Sequence, residues 1–326
     1  MKKAHYTLQK SIKHAKLQYS EKLESDFKSN NTRSVWNRLQ SITNYKQKSS
    51  SSTSSVSTAT PDSLNDFYSR FDKNNNTVPV TNQRSLPPPF VIDESEVVSL
   101  LRKQDPRKAP GPDGVMTSTL RNSASFLAPI FTDIFNSSLS SQIVPTCFKT
   151  STIIPVPKKP NVSSLNDFRP VALTSVIMKI FERIVLRHLK IATSNILDPF
   201  QFAYRANRCV EDAVSLMIHY VLEHLEKPKS YVRIMFVDYS SAFNTIIPSK
   251  LYNKLIDMSI NTALCNWILD FLLFRPQLVK FNNSISNVLV LNTGAPQGCV
   301  LSPILYSLFT NDCISSSESK NCKICR

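Results

Sequence analysis

Asp238 closes a continuous apolar run, Ile234 to Val237, in the stretch YVRIMFVDYSSAFNTII (231–247), and small polar residues and then Phe243 follow it. Such a run reads as a central strand buried on both faces, and a carboxylate at its end stands where the sheet opens to a ligand. An unpaired carboxylate there costs desolvation energy, which a divalent cation would offset. The other reading is a strand that ends in Asp because Asp forms turns well. The four glycines of the chain fall in two short motifs, KAPGPDG (108–114) and GAPQG (294–298). Glycine is required where the backbone takes φ > 0 or where a ligand comes close to the main chain. Both loops are therefore candidates for approach by another group, against the alternative of two ordinary Pro-Gly turns.

The elements around these residues can be placed from spacing. Residues 1–30 set Leu8, Ile12, Ala15, Tyr19 and Leu23 three and four apart, a narrow apolar stripe on a basic helix. Ser49 to Thr60 is a Ser/Thr-rich linker, a short helix follows around Leu64–Phe71, and Asn74–Pro89 is a second connector. The folded body is expected to begin near Val91. Within it, Ser151–Val156 reads as a strand stopped by Pro155 and Pro157. Ile177, Ile180, Phe181, Ile184, Val185 and Leu189 form one face of a helix over 175–192, with Lys179, Arg183, Arg187 and Lys190 mostly off it. A helix over 211–226 turns Ala213, Leu216, Met217 and Tyr220 inward. Further helices are expected around 249–258 and 263–274, a hairpin over 278–292, and a helix from Ser302 to about Cys313. Helices mixed with a few strands, without regular βαβ repetition, indicate an α+β class.

Composition limits the partners. Lys and Arg number 39 against 24 Asp and Glu, a net charge of +15, which points to a polyanion and most simply to nucleic acid. Residues 1–48 hold 11 Lys/Arg and only Glu21, Glu24 and Asp26, so over half of the excess is N-terminal. A solvated basic helix without a partner is the alternative. Seven cysteines at positions without a framework read as reduced, intracellular thiols. Met1-Lys2-Lys3 is not followed by a signal-like apolar stretch, and WILDFLLF (267–274) is too short to span a bilayer and holds Asp270. The expected setting is the nucleus or cytoplasm.

Taken in series, KAPGPDG (108–114), TIIPVPKK (152–159), NDFRPVALTSVIMKIFERIVLRHL (166–189), FAYRANRCVEDAV (202–214), FVDYSSAFNTI (236–246) and GAPQGCVLSPILYSLF (294–309) resemble the reverse transcriptases of non-LTR retrotransposons. The resemblance covers roughly residues 64–313. It implies a right-hand polymerase, with fingers and the start of the palm over 91–230 and a partial palm over 231–326, preceded by the basic helical segment (1–48) and a disordered linker with a short helix (49–90) that charge and composition indicate. The activity it implies is RNA-templated DNA synthesis from a primer 3′-hydroxyl. The partners would be an RNA template, a DNA primer and deoxynucleoside triphosphates, with no membrane.

The same resemblance assigns site residues. Asp238 would hold two catalytic Mg²⁺ ions, with the Tyr239 carbonyl available as a further ligand; two metals clamp the attacking and leaving oxygens of phosphoryl transfer. Phe243 matches the aromatic gate that collides with a 2′-hydroxyl and so selects deoxynucleotides; its other reading is a core aromatic. Gln297 and Gly298 would lie against the incoming nucleotide and templating base. Lys158 or Lys159, with Arg169, would hold the triphosphate, Arg bidentately and Lys as a point charge, unless they are solvated surface charges.

One family motif has no match. The aromatic-Ala-Asp-Asp hairpin expected shortly after the GAPQG helix is absent through Arg326, and neither Asp312 nor Glu318 fits it. The codons of Cys322-Lys-Ile-Cys-Arg326 can be written so that a one-base shift yields Val-Lys-Tyr-Ala-Asp, which suggests a frameshift within about 310–321. Cys322 and Cys325 would then be an accidental C-x-x-C pair. The expectation is an inactive fragment of a retrotransposon polymerase with an exposed, aggregation-prone palm face. The alternative is a catalytically dead nucleic-acid-binding protein, and a scaffold with no nucleic-acid role comes third.

Overall fold

The computed structural model describes residues 2–29, 34, 59–72, 86–108, 110–239 and 241–313. The Ser/Thr-rich stretch up to residue 58, the connector over 74–85, Glu318 and the Cys322/Cys325 pair lie outside the described residues. The chain divides into two compact units, Met1–Ser54 and Ser55–Arg326. In the first, helix α1 spans Lys2–Lys28, and Leu8 and Ile12 of its apolar stripe face solvent.

The second unit contains α2 (Pro61–Ser69), α3 (Glu94–Arg102), α4 (Thr117–Asn122), α5 (Ala124–Ser141), β1 (Ser151–Pro157), β2 (Phe168–Leu173), α6 (Val176–Ala192) and α7 (Val210–Leu225). It continues with α8 (Pro248–Asp257), α9 (Thr262–Leu272), β3 (Arg275–Phe281), β4 (Ser284–Ile285), β5 (Leu289–Leu291) and α10 (Ser302–Phe309). The result is a mixed α/β arrangement around a five-stranded mixed sheet. β1 pairs antiparallel with β2 and parallel with β3, and β3 pairs antiparallel with both β4 and β5. β1 meets β3 only at Ser151–Ile153, so Pro155 and Pro157 sit where no β3 ladder asks for an amide donor. The strand therefore runs through Pro155, which lies opposite Pro170.

The main core forms on α6. Its predicted face, Ile177, Ile180, Phe181, Ile184, Val185 and Leu189, is buried throughout. Phe181 stacks on Phe135 of α5 at 4.3 Å and meets Trp267 of α9 edge-on at 5.0 Å. Aromatic pairs in these arrangements add to the area they bury. Trp267 also donates from Nε1 to Ser138 Oγ at 3.0 Å, which satisfies its one polar atom.

A smaller core lies between α2 and the sheet: Leu64 and Tyr68 pack with Ile153, Phe168, Ala172 and Val279. Thr60 caps α2 reciprocally with Ser63, and Pro61 opens the helix. Asn65, buried at the middle of this contact, donates to Ser286 Oγ (3.1 Å) and the Asn287 carbonyl and accepts from Gln277 Nε2 (2.9 Å). The body expected to start near Val91 thus reaches back to include α2, because this helix has a sheet face to bury against.

One expectation needs correction, and the inward face expected of the 211–226 helix holds. Ile234–Val237 form no strand; residues 231–239 have no regular structure, and Met235 and Phe236 are each 84% exposed. A strand needs a neighbour for its amides and carbonyls, and no described strand pairs with this run. On α7, Ala213 is buried and Leu216, Met217 and Tyr220 half-buried, but Val210, Val214, Ile218, Leu222 and Leu225 are exposed. Among the described residues, no helix is long and apolar enough to cross a membrane.

Candidate functional site

The GAPQG loop is wedged between the turn that carries Phe243 and strand β2. The Gly294 amide donates to the Ile246 carbonyl (2.7 Å) and the Ala295 amide to the Phe243 carbonyl (2.8 Å), while the Ala172 amide donates to the Gln297 carbonyl (2.7 Å). Gly294 has φ +77°, and a Cβ there would lie 2.8 Å from Asn244 Cα; Gly298 has φ +130°, and a Cβ would lie 2.6 Å from the Ala172 carbonyl oxygen. No other residue type fits either place without strain. In both cases the group that comes close is the protein's own backbone.

Two buried ionisable side chains hold this loop from opposite ends. Arg275, at the start of β3, donates to the Thr293 carbonyl at 2.7 Å and also to the Gly294 carbonyl. Glu182, fully buried on α6, accepts from the Leu301 amide at 2.9 Å. Burial pushes the Glu182 carboxyl up to about 7, against the pull of the Leu301 and Val300 amides, and draws Arg275 down to about 10. Burial likewise holds the Cys299 thiol, between them in the loop, well above its usual range. Taking either charge out of water is costly, and backbone hydrogen bonds repay part of that cost.

The predicted residues fall into three places. Phe243, half-buried in a 3₁₀ turn over Ala242–Thr245, packs against Tyr306 of α10 at 5.5 Å and Tyr204 at 6.3 Å. It shares backbone contacts with the loop of Gln297 and Gly298, and through Ala172 that loop meets β2, the strand of Arg169. Arg169 is exposed, opposite Val156. Lys158 lies beyond the end of β1, where its ammonium donates to the Asn166 carbonyl at 2.6 Å. Lys159 pairs with Asp167 at 2.9 Å, and that contact holds the Asp167 carboxyl well below its usual range.

Asp238 and Tyr239 lie in the exposed 231–239 segment, and the Tyr239 hydroxyl is 3.8 Å from Cys313 Sγ. Among the described residues the Asp238 carboxylate makes no ion pair, and no group of three or more metal-ligating side chains occurs. Asp312 is engaged by Lys254. One solvated carboxylate does not fit a two-metal centre, which needs several oxygen ligands held in fixed geometry.

Spacing alone did not single out Glu182, Arg275 or Asn65, yet two of them left a signal. Glu182 falls on the buried row Met178, Val185 and Leu189 of α6, a charge where the pattern demands an apolar residue. Arg275 alternates with Gln277 and Val279 on the buried face of β3. A shallow cleft lies beside the loop and is lined by Tyr68, Asp72, Pro170, Asn244 and Gln297, among others.

Comparison with known proteins bears on the same residues. A family described as reverse transcriptase (RNA-dependent DNA polymerase) matches residues 156–326. The chain is 31% identical over 234 residues to the RNA-directed DNA polymerase from mobile element jockey of Drosophila funebris, an alignment that covers 71% of this chain and 25% of that protein. It is 29% identical over 235 residues to the probable RNA-directed DNA polymerase from transposon BS of Drosophila melanogaster, again 71% of this chain and 25% of the relative. A Pol polyprotein from the type-1 retrotransposable element R2 of Popillia japonica is 24% identical over 178 residues, 54% of this chain and 24% of the relative. The chain thus spans about a quarter of the length of these relatives.

Proposed function

Since the chain belongs to the reverse transcriptase family, among the enzymes of non-LTR retrotransposons, we propose that it is the nucleotide- and template-binding part of an RNA-directed DNA polymerase. The observation that carries this reading is the wedge of the GAPQG loop between the Phe243 turn and β2. It joins Phe243, Gln297 and Gly298, three of the residues that would face an incoming nucleotide, in one hydrogen-bonded unit. In this reading residues 91–230 supply the fingers and the start of the palm, and residues from 231 onward supply palm. Gln297 and Gly298 lie along the nucleotide, and the Phe243 ring excludes a 2′-hydroxyl. Arg169 offers its guanidinium to the phosphates, with Lys158 as a more local contributor whose ammonium already serves the Asn166 carbonyl.

Two Mg²⁺ ions at Asp238 belong to the family reaction. With one described carboxylate there, we propose that this chain binds RNA, primer and deoxynucleotide and does not itself extend the primer. The net charge of +15 supports the binding role, with residues 1–48 and the solvent side of α6 as the phosphate contacts. On α6, Arg187 is already paired with Glu96 at 2.8 Å, which leaves Lys190 as the freer cation near that end. Filter binding of a primed RNA template across a salt series, run beside primer extension, tests both parts. The expected result is affinity that falls linearly with log salt and no extended product. Salt-independent or absent binding would overturn the nucleic-acid role, and extension would overturn the proposed inactivity.

A further inference from the structure

Arg70 lies outside every motif that carried the functional reading, yet the fold brings it to Ser241, at the start of the Phe243 turn. It caps the C-terminal end of α2, its guanidinium carbon 3.9 Å from the ring centre of Phe67 and 4.2 Å from that of Phe71. One terminal nitrogen donates to the Phe67 carbonyl, and the other donates to Ser241 Oγ at 3.3 Å. Ser241, with φ +58°, is the residue on which the Phe243 turn begins, and its carbonyl accepts from the Asn244 amide at 2.8 Å.

Three features set this arginine apart from a solvated surface charge. Among the described residues no carboxylate pairs with it. Its plane is fixed by aromatic contacts, so little side-chain freedom is lost when a ligand binds. The helix that carries it is also fixed: Asp62 accepts from the Asn287 amide and Asp72 from the Asn292 amide, both at 2.8 Å, while Asn65 bonds to Ser286 and Gln277. Its neighbours Ser69, Phe71 and Asp72 line the cleft beside the GAPQG loop together with Pro170, Asn244 and Gln297, whereas the Arg70 side chain itself lies against Ser241. A guanidinium has five N–H donors, and two contacts leave donors to spare.

We propose that Arg70 is a phosphate-binding residue that holds the triphosphate of a nucleotide beside Ser241, at the start of the Phe243 turn. This rests on the reading of the Phe243 turn and the GAPQG loop as a nucleotide site, and it adds a contact from a helix N-terminal to all the motifs assigned to that site. Partial desolvation, which lowers the guanidinium's proton affinity without neutralising it, strengthens its attraction for an anion.

The test titrates the full chain, as wild type, Arg70→Lys and Arg70→Met, with deoxyadenosine triphosphate, inorganic tripolyphosphate, deoxyadenosine and a short single-stranded oligonucleotide, in parallel with thermal melts. Arg70→Met keeps a long side chain against the two rings and removes the charge. The expected result is roughly tenfold weaker binding of the triphosphate and of tripolyphosphate, the step that loss of one charge-assisted contact makes. Arg70→Lys should recover part of it, and the Tm and the nucleoside affinity should not move. Wild-type binding of triphosphate that Arg70→Met leaves unchanged would overturn the inference alone, with a lowered Tm marking a packing role. Loss confined to the oligonucleotide would also overturn it, since the phosphate would then be that of a strand. Failure of the wild-type chain to bind triphosphate at all would overturn the nucleotide-site reading and the inference together.

Discussion

Glu182 and Arg275 grip the two ends of one loop: the Glu182 carboxyl takes the Leu301 amide, and the guanidinium takes the Thr293 and Gly294 carbonyls. The polarity suits the backbone, since the amide faces a carboxyl oxygen and the carbonyls face a cation. Between the two grips lie Gln297 and Gly298, which need no side-chain support of their own. The sequence places these anchors on α6 and β3, so the loop is fixed to both the helical core and the sheet.

The Glu182 grip makes stability depend on pH in a predictable direction. Burial raises its carboxyl from 4.5 to about 7, so between those values the folded chain keeps a proton that the unfolded chain has released. The unfolded state therefore binds fewer protons there, and stability falls as pH rises through that window and levels off above it. Glu182→Gln keeps an acceptor for the Leu301 amide and cannot ionise. By linkage it should match wild type at about pH 4 and exceed it at about pH 8 by on the order of 1–3 kcal/mol. Chemical denaturation of both chains across the range checks this; parallel curves would show that Glu182 does not titrate in the window.

Gly298→Ala should loosen the loop from β2. The new methyl would meet the Ala172 carbonyl oxygen at 2.6 Å, and φ +130° is strained for any side chain. Both the clash and the strain act on backbone, which cannot swing away as a long side chain can. We expect a loss of roughly 2–4 kcal/mol from strain and displacement combined. The measurement is the denaturation midpoint at constant m, and hydrogen exchange at the Ala172 amide should accelerate because its acceptor is the Gln297 carbonyl. An unchanged midpoint would mean that the loop does not sit against β2 in solution.

The exposed apolar residues predict self-association. Val210, Val214, Ile218, Leu222 and Leu225 form a stripe along α7, and Ile234, Met235, Phe236 and Val237 are also exposed. Patches of this size on an isolated chain are aggregation liabilities. Light scattering should show association that grows with protein concentration. Replacing Met235 and Phe236 by Lys should reduce it without lowering Tm, because both side chains already face water. A monomeric, cooperative melt of the wild-type chain would contradict the prediction.

What could be read in advance was whatever depends on near neighbours. The face of α6 followed from six apolar residues at helical spacing, and the hairpin expected over 278–292 falls where β3 pairs with β4 and β5. The 234–237 run did not become the expected strand, because a strand is completed by partners far along the chain and the run itself carries only half of that information. The docking of α2 was hidden for the same reason: Asn65 looks like a solvated residue until Gln277, over two hundred positions away, meets it. The aromatic and glycine positions near the site were legible, but the charged anchors beneath them were not. A motif marks the residues that face a ligand; the residues that hold a loop in place are marked only by a charge on an apolar face.

Phe243 offers the sharpest separation of a functional role from a packing one. Its ring contacts Tyr306 and Tyr204, and its carbonyl accepts from Ala295, so the backbone link to the GAPQG loop survives any side-chain change. Phe243→Val shortens the ring to a branched stub at the same place. As a core aromatic that is only half-buried, it should cost about 1–2 kcal/mol of stability and nothing in selectivity. As a sugar gate it should also let a 2′-hydroxyl enter, so the preference for deoxyadenosine triphosphate over adenosine triphosphate should shrink by about tenfold, equivalent to about 1.4 kcal/mol. Competition binding of the two nucleotides to wild type and Phe243→Val reads this directly, with the melt as the packing control. A lowered Tm with an unchanged ratio would return Phe243 to the core, and a ratio that moves with little change in Tm would make it the residue that distinguishes the two sugars.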